Sequence, residues 1–596
     1  MHMMFKLKNK RKVGAVALTF LLAAAIVPLA LAGPPHDFGH DDHGGDRLFR
    51  HVLLISIDGM HALDFINCTQ GIATVNGGAP YCPTLAALSK NGVSYLEAST
   101  SKPSDSFPGL TAIMSGGSPR SFGAFYDVGY DRSLDPPAKT TGNGTVGAPG
   151  LCTSGAAPTG TTAEYEEGID LDQTQLNGGA PNGLDGGIAS IDPTRLPRDP
   201  AHGCAPVFPW NFVRTNTIFG VIHGAGGYTA WSDKHPAYTS VNGPGNGTNV
   251  DDFYGPEINS VPVGLPGVPG CNPLPDPGAA TSSNAWTDSF QNIQCYDTLK
   301  VNAVLNEING KTHNGKFPAR QPNILGMNFQ TVSVGQKLIE KKLGVTGGYE
   351  DSVGTPTPAL LGEIEFTDAE IGKMVAALQS NGLLDSTLIA ISAKHGQSPV
   401  DSSRYLGIST VANDPVSTSP SQLIDSCLPD SESNAGGQIG PTEDDVSLLW
   451  LRSTCSAAAE VKVLEAQSPA NNNVAGIGQI FSGPAITQMF NAPGLPPNGD
   501  PRTPDIIVTP NVGVTYSGSG KKLAEHGGFS HDDTNVMMLL SNPFFRPGTV
   551  TSPVETAQIA PTILEWLGLD PNALQGVQLE HTQVLPAVQF GYGEDH

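Results

Sequence analysis

Three segments of this chain end in a metal-binding type of residue beside a glycine, and that recurrence limits the fold more than any other feature. Val52-Leu53-Leu54-Ile55-Ser56-Ile57 runs into Asp58-Gly59, and Leu388-Ile389-Ala390-Ile391-Ser392 runs into Lys394-His395-Gly396. A further His-Gly corner stands at Glu525-His526-Gly527-Gly528. Short apolar runs bounded by turn residues read as buried strands. Open α/β sheets bind ligands at the carboxyl ends of their strands, and carboxylate and imidazole on such ends suit a divalent ion. The expectation is a metal site assembled along one sheet edge, on an α/β fold with a largely parallel sheet and helices on both faces.

The first 32 residues read as a secretory signal peptide rather than as part of the fold. Lys6, Lys8, Lys10, Arg11 and Lys12 precede an apolar run from Val13 to Leu31, and Ala30-Leu31-Ala32 before Gly33 is a small-residue cleavage site. Residues 33–48, rich in Gly, His and Asp, form a flexible lead-in. No stable membrane span is expected after signal cleavage. The chain has eight cysteines, and an even number in an exported protein points to disulfides. Each cysteine has a near neighbour in sequence, so the expected pairs are Cys68–Cys82, Cys152–Cys204, Cys271–Cys295 and Cys427–Cys455. The balance of 32 basic to 56 acidic residues becomes 27 to 56 without the five basic leader residues, a net −29. Such a surface repels phosphate backbones, which argues against a reader of duplex nucleic acid. A small anionic ester would need a local positive focus, and a metal ion supplies one.

Periodicity divides the remainder. Residues 49–135 hold the first strand, a helix at Pro83–Leu88, a strand at Val93–Leu96 and the segment around Ser106. Residues 136–295 are dominated by Gly, Pro, Asn and Thr without sustained period, and read as a disulfide-held, loop-rich insertion. Order returns over 296–596, with helices over Asp297–Ile308, Thr357–Ser380 and Ala560–Leu569. Strands are expected at Asn323–Phe329, Thr387–Ser392, Asp505–Val508 and Val536–Leu540. Asn143-Gly144-Thr145 and Asn246-Gly247-Thr248 are sequons for glycosylation.

Ser106 precedes Phe107-Pro108 and a helical run, which puts its hydroxyl at a helix N-terminus, where an anion is favoured. In order along the chain, Ser56-Ile57-Asp58-Gly59, Ser106-Phe107-Pro108, the Ser121–Asp131 stretch, His395-Gly396, His526-Gly527 and Ala560-Pro561-Thr562 resemble the alkaline phosphatase superfamily, in its type I phosphodiesterase and nucleotide pyrophosphatase branch. The resemblance covers about 49–135 and 320–590. It implies two zinc ions about 4 Å apart that clamp an in-line displacement at phosphorus. It also implies Ser106 as nucleophile and metal ligand, Asp58 and His395 as ligands of the same ion, and His526 as a ligand of the other. Asp127 and Tyr130 would lie on the substrate side.

The departures from that pattern shape the expected chemistry. Lys394 stands where relatives carry an Asp ligand. The second-metal motif falls near Val332–Gln336 with neither Asp nor His, leaving Gln330 and Gln336 as weak ligands, and Asp127 replaces an Asn that touches phosphate. Three readings follow. One is a secreted one-ion hydrolase of phosphate esters with Ser106 as nucleophile and Lys394 facing the transferring group. Another is a ligand set rebuilt from Glu525, His531, Asp532 and Asp533. The third is an exported pseudoenzyme or binding protein on the same fold. Sulfate and phosphonate esters stay open as substrates, and so does a carbohydrate or adhesion protein.

Overall fold

The computed structural model describes residues 49–590 except 141–151, 280–284, 342, 409–417, 435–438, 468–474 and 518–521. The expected signal peptide, the expected lead-in and the Asn143 sequon lie outside the described residues. Eight strands make the central sheet: β1 His51–Ile57, β2 Gly92–Tyr95, β3 Ala230–Ser232, β4 Asp252–Tyr254, β5 Ile324–Phe329, β6 Thr387–Ser392, β7 Leu539–Ser541 and β8 Gly548–Val550. Their order is β8-β2-β7-β6-β1-β5-β3-β4. Only β7 runs against its neighbours, β6 and β2; the other pairings are parallel. This is the largely parallel α/β sheet read from the sequence.

Alternation along the strands explains why both faces are covered. In β1, Val52 and Leu54 enter one apolar core and Leu53, Ile55 and Ile57 enter the other. Four helices pack against the two faces: α1 Ser106–Ser115, α2 Phe290–Ile308, α3 Pro358–Ser380 and α4 Ile559–Trp566. Leu110 and Ile113 of α1 and Ile559 and Ile563 of α4 join the first core. Val301 and Val304 of α2 and Leu360, Ile364, Ile371 and Met374 of α3 join the second. A strand buried on both sides is apolar throughout for this reason.

The segment 136–295 corrects the picture of an appended insertion. It supplies β3 and β4, so the sheet ends in strands that come from it, and Trp231 of β3 is fully buried. Three-residue strands carry too little period to stand out among glycines and prolines. A second sheet was also missed. Thr442–Glu443, Ser447–Leu449, Ile506–Pro510 and Ile477–Ser482 form an antiparallel four-stranded sheet, which places the 505–508 run outside the central sheet. The strand expected over 536–540 is regular only at Leu539–Ser541, with Val536 in an isolated bridge to His61. All four disulfides join sequence neighbours: Cys68–Cys82, Cys152–Cys204, Cys271–Cys295 and Cys427–Cys455. Among the described residues no helix is long and apolar enough to cross a membrane.

Candidate active site

Register places the chemistry. Ser56 of β1 lies level with Asn328 of β5 and Ser392 of β6, and Met327 lies level with Ser232 of β3. Residues just past these points therefore emerge on one edge: Asp58, Gln330, Lys394, His395, Asp233 and Lys234. Helix α1 delivers Ser106 to the same edge. Its cap is Asp105, whose carboxylate accepts from Phe107 N at 3.0 Å. Ser106 is thus the first helical residue, with its hydroxyl free of capping. A Cβ on Gly109 would stand 2.1 Å from the Lys394 carbonyl oxygen, so that glycine lets α1 press against the turn that carries His395.

Ser106 Oγ is the meeting point. It lies 3.0 Å from His395 Nε2 and 3.4 Å from Asp58 Oδ2, and the Lys234 ammonium donates to it at 3.3 Å. Ser106 is fully buried, and Asp58 and His395 are 1% exposed. Gln330 Nε2 donates to Asp58 Oδ2 at 2.7 Å and Asn328 Nδ2 at 3.2 Å. Burial alone would raise the Asp58 pKa, but Lys394, His395, Lys234 and the Gln330 amide hold it down at about 2. His395 Nδ1 lies 2.9 Å from the Gly396 carbonyl, which fixes the proton there and leaves the Nε2 lone pair facing Ser106. Burial lowers the His395 pKa to about 4, with Lys234 and Lys337 adding to the fall and Asp58 opposing it. The ring is neutral at pH 7, a state suited to accepting a proton or binding a metal.

Lys394 does not face Ser106. Its ammonium pairs with Asp233 Oδ1 at 2.9 Å, with both side chains fully buried, and sits 3.7 Å over the Tyr238 ring. The cation at the serine is Lys234, from the segment read as an insertion, and its other partner is Glu166 Oε1 at 2.6 Å. Burial opposes ionisation of Glu166, but Lys234 keeps its pKa well below the usual range. Sequence reading missed Lys234, Glu166 and Asp105. The available signal was Asp233-Lys234-His235, three charged or titratable residues after the short apolar run Ala230-Trp231.

The remaining residues fall in different places. His526 stacks on His395 with ring centroids 4.0 Å apart, and its Nδ1 lies 3.5 Å from Asp105 Oδ1. Burial, then His395 and the nearby lysines, push the His526 pKa well below 6.5. Asp127 lies against this group: its backbone N–H donates to Asp105 Oδ2 at 3.0 Å, and burial with Asp105 and Glu166 raises its pKa well above 3.8. A protonated Asp127 does not repel an anion as a carboxylate would. Tyr130 lines a separate cleft with Arg132 and Arg452, which sets it apart from the serine. Gln330 and Gln336 both act as amide donors here, and the Gln336 Oε1 is buried without a hydrogen-bond partner. Gln336 Nε2 donates to Gly59 O at 2.8 Å and Tyr349 OH at 2.8 Å. His531 lies on a different cleft, with Ser530 and Asp533.

These positions fit one ion better than two. Asp58 Oδ1 is buried with no hydrogen-bond partner, and with Ser106 Oγ and His395 Nε2 it makes a carboxylate–hydroxyl–imidazole donor set. A second ion would find His526 Nδ1 and Asp105 Oδ1, each buried and unpartnered, while in the second-metal stretch Val332 lies in the apolar core and Gln336 offers only a neutral amide oxygen.

The model of the type I phosphodiesterase / nucleotide pyrophosphatase family matches residues 52–166 and 346–532. The match thus runs past the expected limit of 135 and leaves out Gln330, Gln336 and Lys234. No curated protein sequence matches the chain. Among solved structures, alkaline phosphatase PafA aligns at 14% identity and TM-score 0.50, over 88% of this chain and 97% of PafA. Murine ectonucleotide pyrophosphatase / phosphodiesterase 5 aligns at 12% identity and TM-score 0.48, over 87% of this chain and 96% of the mouse chain. The human counterpart aligns at 13% identity and TM-score 0.44, over 87% and 95%.

Proposed function

The chain belongs to the type I phosphodiesterase / nucleotide pyrophosphatase family, a family of phosphoric ester hydrolases, and on that premise we propose that it is an exported phosphate-ester hydrolase with Ser106 as its nucleophile. The observation that carries this reading is the convergence of His395 Nε2, Asp58 Oδ2 and the Lys234 ammonium on Ser106 Oγ. A serine needs a base or a metal to attack. Here the hydroxyl proton has a neutral acceptor, His395 Nε2, at 3.0 Å. As Oγ bonds to phosphorus the ester P–O bond breaks, the alcohol leaves, and a phosphoseryl group remains for water to hydrolyse. Lys234 stands beside the attacking oxygen, where it would face the charge that develops on the transferring group. Asp58, held ionised, orients the hydroxyl. A divalent ion, zinc by family resemblance, would be held by Asp58, Ser106 and His395; it would occupy the His395 Nε2 lone pair, so that Lewis-acid activation of the serine oxygen would then replace proton transfer to His395. In this reading residues 49–135 and 296–596 form one catalytic domain, with 136–295 lending it Lys234. The four disulfides support export.

The test is Ser106→Ala in the mature chain, assayed on chromogenic phosphodiester, phosphomonoester, phosphonate and sulfate substrates with zinc supplied. The expected loss is at least ~10³ in kcat with melting temperature nearly unchanged. Parent-like turnover by the variant would remove Ser106 from the mechanism. A parent inert on every substrate with every divalent ion supplied would instead identify a binding protein on this fold.

A further inference from the structure

Behind the cation at the serine lies a row of buried charged groups that the reaction above does not use. Lys234 Nζ, 3.3 Å from Ser106 Oγ, pairs with Glu166 Oε1 at 2.6 Å. The same Glu166 oxygen accepts from Tyr238 OH at 2.9 Å and lies 3.5 Å from His235 Nε2. The other ring nitrogen, His235 Nδ1, lies 2.9 Å from Glu257 Oε2. His235 is 2% exposed and Glu257 is fully buried. Three segments supply the row: Glu166 follows the strand Thr161–Glu164, Lys234 and His235 follow β3, and Glu257 stands just after β4.

Both ring nitrogens of His235 thus face carboxylates. A neutral imidazole has one N–H and would turn a lone pair to one of the two glutamates, whereas an imidazolium donates on both sides. Charge balance gives the same answer. With His235 protonated, Lys234 and His235 match Glu166 and Glu257 one for one; with it neutral, a buried negative charge is left over. Burial works against the proton on His235, but Glu257 and then Glu166 raise its pKa. The other groups around the row bring no competing charge. Burial, with Glu257 beside it, raises the Asp170 pKa to about 8, so Asp170 keeps its proton. Asp127, hydrogen-bonded to Glu166, is protonated as well. Burial keeps Tyr238 a neutral phenol, and its ring stacks on His235 with centroids 6.4 Å apart.

We propose that His235, as an imidazolium between Glu257 and Glu166, is a positioning residue for the hydrolysis: it takes up part of the Glu166 charge and so leaves the Lys234 ammonium turned to Ser106. This rests on the hydrolase reading above. Without the imidazolium, Lys234 would be the only full positive partner of Glu166, and the ammonium would be drawn off the attacking oxygen.

The experiment is a double-mutant cycle in the mature chain with zinc supplied. His235→Gln is placed in the parent and in the Lys234→Met/Glu166→Gln background. In the parent it should lower kcat/KM by ~10-fold and raise the Kd for inorganic phosphate by a similar factor. In the background it should change either by less than about twofold. Equal losses in both backgrounds would show that His235 only packs, and would overturn the proposal. If His235→Gln does not fold, His235→Gln/Glu257→Gln takes its place, because it removes both members of a buried pair. Ring charge is read separately by nitrogen NMR of histidine-labelled protein, with His235 assigned by its loss in the variant. Both ring nitrogens should carry protons at neutral pH; one unprotonated nitrogen would sink the inference while leaving the hydrolase reading untouched. A parent that binds phosphate but turns over no ester removes the hydrolase reading, and the cycle is then decided on phosphate affinity. A parent that does neither overturns both.

Discussion

Lys234 and Lys394 are both buried cations on the same sheet edge, yet only Lys234 touches Ser106 Oγ. The two should therefore fail in different ways when removed. Lys234→Met with Glu166→Gln removes both members of a buried ion pair, which largely spares stability. It should still lower kcat/KM by ~10² or more, because a preorganised charge beside the reacting oxygen is gone. Lys394→Met leaves Asp233 buried and unpaired, and should cost ~3–5 kcal/mol of stability. Melting curves beside kcat/KM separate the cases. A double variant that keeps full turnover would mean Lys234 only fills space. Asp58, Ser106 and His395 were legible in the sequence because each sits within a residue or two of a glycine or proline turn at a strand or helix end, and His526 because of its His-Gly corner, which lies in a loop. Lys234 was not legible. Its place depends on β3 lying beside β5, a pairing that no local pattern announces.

At the scale of elements, the long helices and the apolar strands could be read because their periods persist over several turns or pleats. The edge strands β3 and β4 could not, and a side-chain clamp now explains how so short a strand as β4 is held. His313, after α2, lies 2.5 Å from Asp252 of β4 through Nδ1 and 2.7 Å from Asp185 through Nε2, and stacks on Tyr254 with centroids 5.0 Å apart. Burial works against protonation, but the two carboxylates raise the His313 pKa to about 9. A histidine whose folded pKa exceeds its unfolded value stabilises fully below about 6.5 and loses that stability as pH climbs through the folded value. The clamp should thus contribute up to ~3 kcal/mol at pH 6 and little at pH 9.5. His313→Gln should have a lower melting temperature at pH 6 and a flatter profile between pH 6.5 and 9.5. Parallel profiles for parent and variant would show that the ring is not charged in the fold.

Across the whole molecule, sequence neighbours joined by disulfides make a chain of short closed loops, with separations of 14, 52, 24 and 28 residues. This layout was legible because each gap is a short loop and the count is even. What the spacing did not announce is how the bridges bear on the sheet edge. Cys271–Cys295 anchors the start of α2, while Cys152–Cys204 closes a loop at the rim of the segment that supplies Lys234. Loop-closure entropy in the unfolded chain gives about 4 kcal/mol for a 52-residue loop and about 3.4 kcal/mol for a 24-residue loop. Cys152→Ala/Cys204→Ala should therefore destabilise slightly more than Cys271→Ala/Cys295→Ala if the unfolded state decides the matter. Native contacts argue for the reverse order. Cys271 and Cys295 are both buried in an apolar cluster with Trp286, Ile293 and Tyr296, so their loss also leaves a cavity, whereas Cys152 and Cys204 are only half-buried. A cavity term of 1 kcal/mol or more exceeds the ~0.6 kcal/mol difference in loop entropy. The expected outcome in urea unfolding is that the 271–295 pair costs more, despite its shorter loop. A larger loss from the 152–204 pair would show that chain entropy outweighs packing in this part of the fold.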